Sequence, residues 1–289
     1  MMDHPKHAKW MMIGSMAVFG TIGLFVRYIP LTSGEISLWR SVLAALMIGG
    51  YLLISRQKID RRALRKQLPL LLASGFALGL NWVFLFEAYR YTTVSVATLC
   101  CYFAPVLVTI ACPILFHEKI SRKQWLCFGM STLGLIFITG FGGEGGNRHV
   151  IGVLCGLGSA VLYASVILIN KFMHGVDDIP RTFLQFVASV LVMAPYTLLT
   201  GYTGLATLDG IGWGHLLFLG LFHTGFIYCI YFYAIRKLPG QKTAILSYID
   251  PLVAILLSLF LLGEGMSLWQ IIGGSLILGF TFWNELSDK

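Results

Sequence analysis

The sequence predicts an all-α polytopic membrane protein with ten transmembrane helices, arranged as two inverted five-helix repeats. Three observations lead to this fold class. Long apolar runs carry no charged residue, the basic residues gather on alternate loops, and the two halves of the chain share one pattern at a fixed offset. Together they predict the spans, their orientation and the relation between the halves.

The composition is that of a membrane protein. The 289 residues are 57% hydrophobic and 12% charged, whereas a soluble protein carries about 25% charged residues. A helical span needs about 20 residues, and a β-barrel would show alternation in segments of about ten, which is absent. Several runs without Asp, Glu, Lys or Arg reach the length of a span, among them 91–116, 124–143, 182–208, 210–235 and 265–284.

The apolar runs and the short loops between them predict ten spans. Their boundaries are 10–28, 35–54, 69–90, 94–116, 122–141, 150–172, 181–200, 212–235, 241–262 and 267–284. All six cysteines lie inside apolar runs and none has C-x-x-C spacing. We therefore expect buried thiols, with no metal, no cofactor and no disulfide.

The basic residues predict the orientation. All 21 Lys and Arg residues except Arg27, Arg40, Arg90 and Arg148 lie on one side of the membrane if the N-terminus is cytoplasmic. Because basic loops stay in the cytoplasm, we expect both termini there, in a bacterial-type plasma (inner) membrane. The same rule accounts for the net charge of +8, so no nucleic-acid partner is needed to explain it.

A fixed offset relates the two halves of the chain. A shift of 146 residues aligns Ala88 with Ala234, Tyr102 with Tyr248, Pro105 with Pro251, Glu118 with Glu264, Ser121 with Ser267 and Gln124 with Gln270. This self-similarity indicates a duplication, with units 1–146 and 147–289. Since each unit holds an odd number of spans, the second must run inverted, a pattern typical of secondary transporters with a midplane site between the repeats.

Matched prolines predict a break in one helix of each repeat. Pro105 and Pro251 lack an N–H, and each ring clashes with the carbonyl four residues earlier. The carbonyls of Cys101 and Ser247 should therefore be freed, which lipid tolerates only against protein or a water-filled cavity. A packing kink is the alternative at each position. After each break, Ser-x-x-Gln fits a capping box that begins the next helix, at residues 121–124 and 267–270.

Over essentially its whole length the sequence resembles the drug/metabolite transporter superfamily, in its ten-span EamA-type branch. The motifs that carry the resemblance are Ala88-Tyr89-Arg90-Tyr91-Thr92-Thr93, Pro105, Glu118, Gln124 and Gly129, then Ala234, Pro251, Gly263-Glu264 and Gln270, with Trp39-Arg40 in the second span. The first-span Trp-Gly of many members is Phe19-Gly20 here. The resemblance implies movement of small organic solutes such as amino acids, drugs and sugar conjugates, often outward, by alternating access.

Polar residues within spans are functional candidates because burying them in lipid is costly. Arg40 and Glu87 lie at similar predicted depth near the outer ends of their spans, which suggests an ion pair that acts as an outer gate or as a static strut. Aromatic walls with a few polar groups are the usual form of a ligand site. The midplane candidates for substrate binding are Asn81, Trp82, Tyr102, Tyr163, His223, Tyr248 and Asp250.

The antiparallel eighth and ninth spans predict that His223 and Asp250 form the polar centre of the site. Such a pair could share a proton, which makes the proton the candidate coupling ion; alternatively Asp250 takes the amine of the substrate. No Lys or Arg is expected at the midplane, which argues against phosphate-bearing substrates.

Four functions compete at this point. The leading one is a secondary active transporter of small polar metabolites by alternating access, an amino-acid or amine exporter. The others are uptake of a quaternary ammonium solute such as choline, suggested by aromatics beside an acidic residue, an intramembrane enzyme, and a non-transporting subunit. The expected partners are a small-molecule substrate and the lipid bilayer, for a monomer or homodimer.

Overall fold

The computed structural model describes residues 5–55, 61–116, 121–140, 146–173, 176–199, 204–238 and 246–286. Regular structure in these ranges is helical, and they contain no β-strand. The prediction of an all-α chain is therefore confirmed for the part of the protein that the structure describes. Glu118, which the repeat pairs with Glu264, lies outside the described residues.

The described residues up to Phe172 form eight helices. They are α1 (Pro5–Gly20), α2 (Ile22–Arg27), α3 (Ser33–Ser55), α4 (Arg61–Tyr91), α5 (Val94–Cys101), α6 (Ala104–Phe116), α7 (Arg122–Gly140) and α8 (Gly146–Phe172), the last of which continues into the second half.

The described residues from Asp178 onward include five more helices, one π-helix and one short 3₁₀ turn. They are α9 (Asp178–Leu199), the 3₁₀ turn (Gly204–Thr207), α10 (Gly210–Leu217), the π-helix (Phe218–Phe226), α11 (Ile227–Lys237), α12 (Ile249–Phe260) and α13 (Leu268–Glu285). Every segment predicted to span the membrane contains helix in its described part.

Seven helical stretches in the described ranges are long and apolar enough to cross a membrane: His7–Arg27, Ser33–Ser55, Leu64–Tyr91, Val94–Ala111, Gly146–Phe172, Asp178–Leu199 and Gly210–Ala234. The protein is thus an integral membrane protein with several apolar helices. Helices α7, α12 and α13 occupy the remaining predicted segments. The count of ten spans stays a prediction.

Both predicted capping boxes are present. At the start of α13, the Gln270 N–H donates to the Ser267 hydroxyl at 3.2 Å and the Ser267 N–H donates to the Gln270 side chain at 2.9 Å. At the start of α7, Ser121 and Gln124 make the same reciprocal bonds at 2.7 and 3.1 Å. Each box satisfies N–H groups that a helix start leaves free, so the two helices begin where the repeat predicts.

The helices pack in pairs across the two halves. Helix α4 lies against α8 and α9, α3 against α9 and the π-helix, and α1 against α11 and α12. Helix α5 contacts α8 and α12, and α7 pairs with α13. The largest buried apolar cluster lies among these central helices and includes Ile48, Trp82, Phe86, Phe186 and Leu219.

The outer surface is apolar, as a lipid-facing surface requires. Large apolar side chains project from several helices rather than pack inside: Leu53, Ile54, Leu198, Leu199, Ile211 and Phe260. Polar side chains are instead concentrated between the helices, which is where a solute pathway would run.

Candidate functional site

Two helix interruptions face each other at the centre of the fold. Helix α5 ends at Cys101 and α6 begins at Ala104, so the chain breaks at Tyr102, just before Pro105. A matching turn at Tyr248 precedes α12, which contains Pro251 in its first turn. The rings of Tyr102 and Tyr248 lie 6.4 Å apart, centroid to centroid. The Tyr-x-x-Pro segments of the two halves therefore meet.

Asp250 links these two interruptions. The Tyr102 hydroxyl donates to Oδ2 of Asp250 at 2.7 Å. It also lies 3.4 Å from the carbonyl oxygen of Ser247, a second acceptor. The sequence predicts that Pro251 frees the carbonyl of Ser247 from its helical hydrogen bond. In the structure, the Tyr102 hydroxyl from the other half of the chain supplies a polar contact for that carbonyl. Asp250 itself is only partly buried, and its Oδ1 accepts no hydrogen bond within the described ranges.

The first helix approaches the backbone at Asp250 closely. A Cβ atom on Gly20 would lie 2.6 Å from the Asp250 carbonyl oxygen and 2.7 Å from Cβ of Val253. Any larger residue at position 20 would push α1 away from α12, which is how the Phe19-Gly20 pair contributes to the site.

An aromatic group lines one side of the same region. The ring of Phe19 lies 5.0 Å from that of Tyr228 and 5.9 Å from that of Tyr231. Tyr163, by contrast, is 42% exposed. The sequence pattern singles out Tyr163 but neither Tyr228 nor Tyr231.

Arg40 is buried deep in the helix assembly. The residue is 2% exposed, and its Nε donates to the Thr224 hydroxyl at 2.6 Å. The guanidinium carbon lies 4.0 Å from the centre of the Trp82 ring and 5.8 Å from that of Phe86. These contacts place Arg40 at the depth of Trp82, which corrects the expectation that the middle of the fold holds no Lys or Arg.

The predicted Arg40–Glu87 ion pair is not formed in this structure. Glu87 instead accepts from Arg90 one helical turn later, at 3.0 Å, and both of these side chains reach the exposed end of α4. Arg40 points inward from α3 toward the π-helix. The distance of Arg40 and Glu87 from their helix ends predicts a similar depth for the two side chains. It does not predict the direction in which each side chain points.

Asn81 links helices α4 and α8 by hydrogen bonds. Its amide nitrogen donates to both the carbonyl oxygen and the hydroxyl of Ser159, each at 2.8 Å, and the Ser159 hydroxyl lies 3.3 Å from Sγ of Cys101. These bonds connect α4, α8 and the end of α5. Trp82, the next residue, packs against Phe186 at 5.7 Å and supports Arg40.

His223 lies in the π-helix and is 1% exposed. Its Nε2 lies 2.6 Å from the Thr21 hydroxyl, and its Nδ1 lies 3.4 Å from the Phe218 carbonyl oxygen. The predicted pairing of His223 with Asp250 is therefore wrong in this conformation, because His223 contacts Thr21 and Asp250 contacts Tyr102. Thr21 stands at the interruption between α1 and α2, so the histidine ties the π-helix to a break in the first helix.

The π-helix explains why residues near it escaped prediction. Its wider turn brings the Thr224 hydroxyl to the Leu219 carbonyl five residues earlier, at 2.9 Å, and turns Thr224 toward Arg40. Gly220 and Gly225 let it approach α3, since a Cβ on either would lie 2.6 Å or less from atoms of Leu43 or Met47. Such bulges are frequent at functional sites.

A second polar cluster lies at one end of the molecule. Glu264 forms an ion pair with Arg27 and accepts from the Val94 N–H at 2.8 Å, while Ser258 donates to the same carboxylate. The Ser258 hydroxyl in turn accepts from the Ser95 N–H at 3.3 Å. The first two amides of α5 are thus held by the second half. Glu264 stood out in the repeat, but no sequence signal predicted that Arg27 would be its partner.

Comparisons with known proteins agree with this architecture. The model of the EamA-like transporter family matches residues 8–140 and 150–284. A Bacillus subtilis (strain 168) protein named "Uncharacterized transporter YxxF" is 30% identical over 264 residues, covering 91% of this chain and 84% of its own. An "Uncharacterized transporter" of Archaeoglobus fulgidus is 26% identical over 275 residues, covering 94% of each chain.

A solved structure shares the fold. A chain described as "Crystal structure of protein" superimposes with a TM-score of 0.66 over 96% of both chains, at 16% sequence identity. At that identity the likeness concerns the arrangement of helices alone.

Proposed function

We propose that this chain, which belongs to the EamA-like transporter family of the drug/metabolite transporter superfamily, is a secondary active transporter of small polar metabolites that works by alternating access. It sits in the bacterial inner membrane with both termini in the cytoplasm, and its ten membrane spans form two inverted repeats, 1–146 and 147–289. The substrates that fit its site best are amino acids or amines, moved outward.

The pattern of helix packing supports the inverted repeat. The repeat offset of 146 residues gives each helix a counterpart in the other half. When each helix is replaced by its counterpart, the contact of α4 with α8 becomes the contact of α11 with α1. The contact of α4 with α9 becomes that of the π-helix with α3, and the contact of α6 with α8 becomes that of α12 with α1. Each member of these pairs is observed. Helices related in this way form one interface twice, as expected around a pseudo-two-fold axis in the membrane.

The hydrogen bond from Tyr102 to Asp250 is the observation that carries the proposal. It joins the interrupted helix of one half to that of the other, which is where inverted-repeat transporters bind substrate. The carboxylate is a ready acceptor for a substrate amine. Its partial exposure and its open Oδ1 suit a group that exchanges partners, and protonation of the same carboxylate would make the proton the coupling ion.

The polar cluster around Glu264 supports a gate. Under the predicted orientation Arg27, Val94 and Glu264 are at the outer end of the pathway, and their bonds hold the outer half-helix α5 against the second repeat. Because α5 is separated from α6 by the break at Tyr102, it can swing without moving the inner half of that span. This cluster takes the gating role that the sequence predicts for Arg40 and Glu87.

Flux measurements test the transporter proposal. Purified protein in proteoliposomes, preloaded with single radiolabelled amino acids, amines or quaternary ammonium compounds, should release at least one of them faster than protein-free liposomes do. Pro105→Ala and Pro251→Ala should slow that release while leaving the amount of folded protein in the vesicles unchanged. Release equal to that of protein-free liposomes for every compound would contradict the proposal.

A quaternary ammonium substrate such as choline is the second candidate. The cluster of Phe19, Tyr228 and Tyr231 beside Asp250 favours it, because aromatic faces bind cations that cannot donate hydrogen bonds. Growth assays separate the two candidates by direction: an exporter protects cells from a toxic amino-acid analogue, whereas an importer restores growth of a strain starved of choline.

A further inference from the structure

Helix α4 is longer than the apolar layer of a membrane is thick. Its 31 residues, Arg61–Tyr91, extend over about 47 Å at about 1.5 Å per residue, whereas the hydrocarbon core measures about 30 Å. The exposed ion pair of Glu87 with Arg90 marks where the helix leaves the core at one end. At the other end the core stops about 20 residues earlier, which leaves Arg65 and Lys66 in the headgroup layer.

Arg65 and Lys66 lie on the face of α4 that looks away from the rest of the protein. Both residues are exposed, and so are apolar residues one to three turns further along the helix: Leu68, Pro69, Leu72, Ala73 and Phe76. Leu71 and Ser74, between them in the sequence, are buried. Residues three or four apart share one side of a helix, so the two cations continue a lipid-facing stripe into the headgroups.

The protein does not neutralise these two cations. Within the described residues, neither the Arg65 nor the Lys66 side chain forms an ion pair or a hydrogen bond. Asp178 begins helix α9, which packs on α4, but its carboxylate pairs with Arg181 one turn later in α9. The positive charge at this end of α4 is therefore available to an anion from outside the chain.

We propose that Arg65 and Lys66 bind the phosphate of an anionic phospholipid whose acyl chains lie along the exposed stripe of α4. Guanidinium and ammonium groups form charge-assisted hydrogen bonds with phosphate oxygens. A cluster of four to eight basic residues beside a span attracts anionic headgroups, and four more precede the pair in the sequence: Arg56, Lys58, Arg61 and Arg62. Such a site is separate from the proposed substrate site, and it anchors the depth of the helix that carries Asn81 and Trp82.

Two lipids with the same acyl chains test the site in the unmodified protein. Dioctanoyl phosphatidylglycerol carries a net negative charge, whereas dioctanoyl phosphatidylcholine is zwitterionic. In calorimetric titrations of protein purified in a neutral detergent, the anionic lipid should bind about 10-fold or more tightly than the zwitterionic one, because each basic residue near the headgroups contributes about fivefold. High salt should reduce this preference, since ions screen charges that solvent reaches.

Paired substitutions locate the source of the preference. Arg65→Gln combined with Lys66→Gln should bring phosphatidylglycerol down to the affinity of phosphatidylcholine and leave phosphatidylcholine binding unchanged, while Arg65→Lys should retain the preference. The matched control combines Arg90→Gln with Arg148→Gln. It removes the same two charges from exposed positions outside the proposed lipid site and should bind both lipids like the parent.

Several results would overturn the lipid site. The parent could bind the two lipids equally, or the preference could survive in the Arg65 and Lys66 double variant. An equal loss in the control variant would indicate general attraction to a basic protein. Because the comparison in the parent needs no variant, a folding failure of the double variant leaves the proposal testable.

Glycerol phosphate separates a lipid from a soluble phosphate. It carries the anionic group but has no acyl chains to cover the exposed stripe, so it should bind about 10-fold or more weakly than phosphatidylglycerol. Equal affinity would mean that the site takes soluble phosphates and would contradict the lipid assignment. These titrations need no transported substrate, so the proposed transport function fails separately, when no compound of the flux panel is moved.

Discussion

The Tyr102 hydroxyl lies 2.7 Å from the Asp250 carboxylate, so that a residue at the helix break of one repeat contacts the residue before the proline of the other. The offset that aligns Tyr102 with Tyr248 aligns Asp250 with Ala104. The carboxylate therefore has no counterpart in the first repeat. The acidic group thus belongs to one repeat, and the hydroxyl that orients it comes from the other.

Removal of that hydroxyl should weaken substrate binding. Tyr102→Phe keeps the ring and deletes one hydrogen bond to a charged group, a loss of about 1.5–3 kcal/mol, so we expect affinity for the transported compound to fall about 10-fold or more. Titration of purified protein measures it. Tyr91→Phe, at an exposed tyrosine outside the site, should bind like the parent, and equal affinities for all three proteins would exclude a role for the Tyr102 hydroxyl.

Trp82 should act through Arg40 as well as through packing. Trp82→Ala removes a buried ring, which costs about 3–5 kcal/mol of stability, and takes away the platform beneath the guanidinium. Trp82→Phe keeps an aromatic face and should retain most of the binding affinity. Thermal unfolding and substrate titration, measured on the same samples, separate the two effects; identical substrate affinity for Trp82→Ala and the parent would mean that the ring only fills space.

The bond network of Glu264 should keep the outer end of the pathway closed. Glu264→Gln removes the charge that pairs with Arg27 and that sits at the N-terminus of α5, where a negative charge is stabilising. A cysteine introduced by Ser95→Cys into a cysteine-free background should then react several-fold faster with an impermeant thiol reagent added outside cells.

The control for this experiment is Glu87→Gln, which breaks the exposed pair with Arg90 and should leave the reaction rate unchanged. Equal labelling rates with Glu264 and with Gln at position 264 would show that the cluster is not a gate.

The predicted orientation has its own test. In a cysteine-free background, Asn147→Cys at the exposed start of α8 should react with the impermeant reagent in intact cells, because the loop around Arg148 is predicted to face outward. Lys58→Cys should react only after the membrane is permeabilised. The reverse pattern would invert the topology and would move the Glu264 cluster to the cytoplasmic side.

The sequence predicted the parts of the site that follow from the backbone. Proline chemistry and the fixed offset predicted interruptions near Pro105 and Pro251, and the structure shows both Tyr-x-x-Pro segments meeting there. Ser-x-x-Gln predicted two helix starts because capping is local. These features depend on residues within one turn of each other, which is the range over which a single sequence is informative.

The pairing of side chains between helices could not be predicted in the same way. Depth alone pairs Arg40 with Glu87 and His223 with Asp250, whereas a contact also requires the two side chains to face each other around their helix axes. The π-helix changes that facing for His223 and Thr224, and no residue pattern marked it in advance. Thr21, Thr224 and Arg27 were missed because each acts through a partner that is distant in the sequence.

The most direct test of the account is transport by Asp250→Asn in proteoliposomes, across pH 5.5–8. Asparagine keeps the size of the side chain and the contact with Tyr102 but cannot ionise. If Asp250 carries the coupling proton, the variant should lose flux driven by a pH gradient while retaining exchange of labelled for unlabelled substrate. If Asp250 instead only receives the substrate amine, binding and exchange should both be lost. Flux and exchange equal to those of the parent at every pH would contradict the claim that Asp250 is the centre of the site.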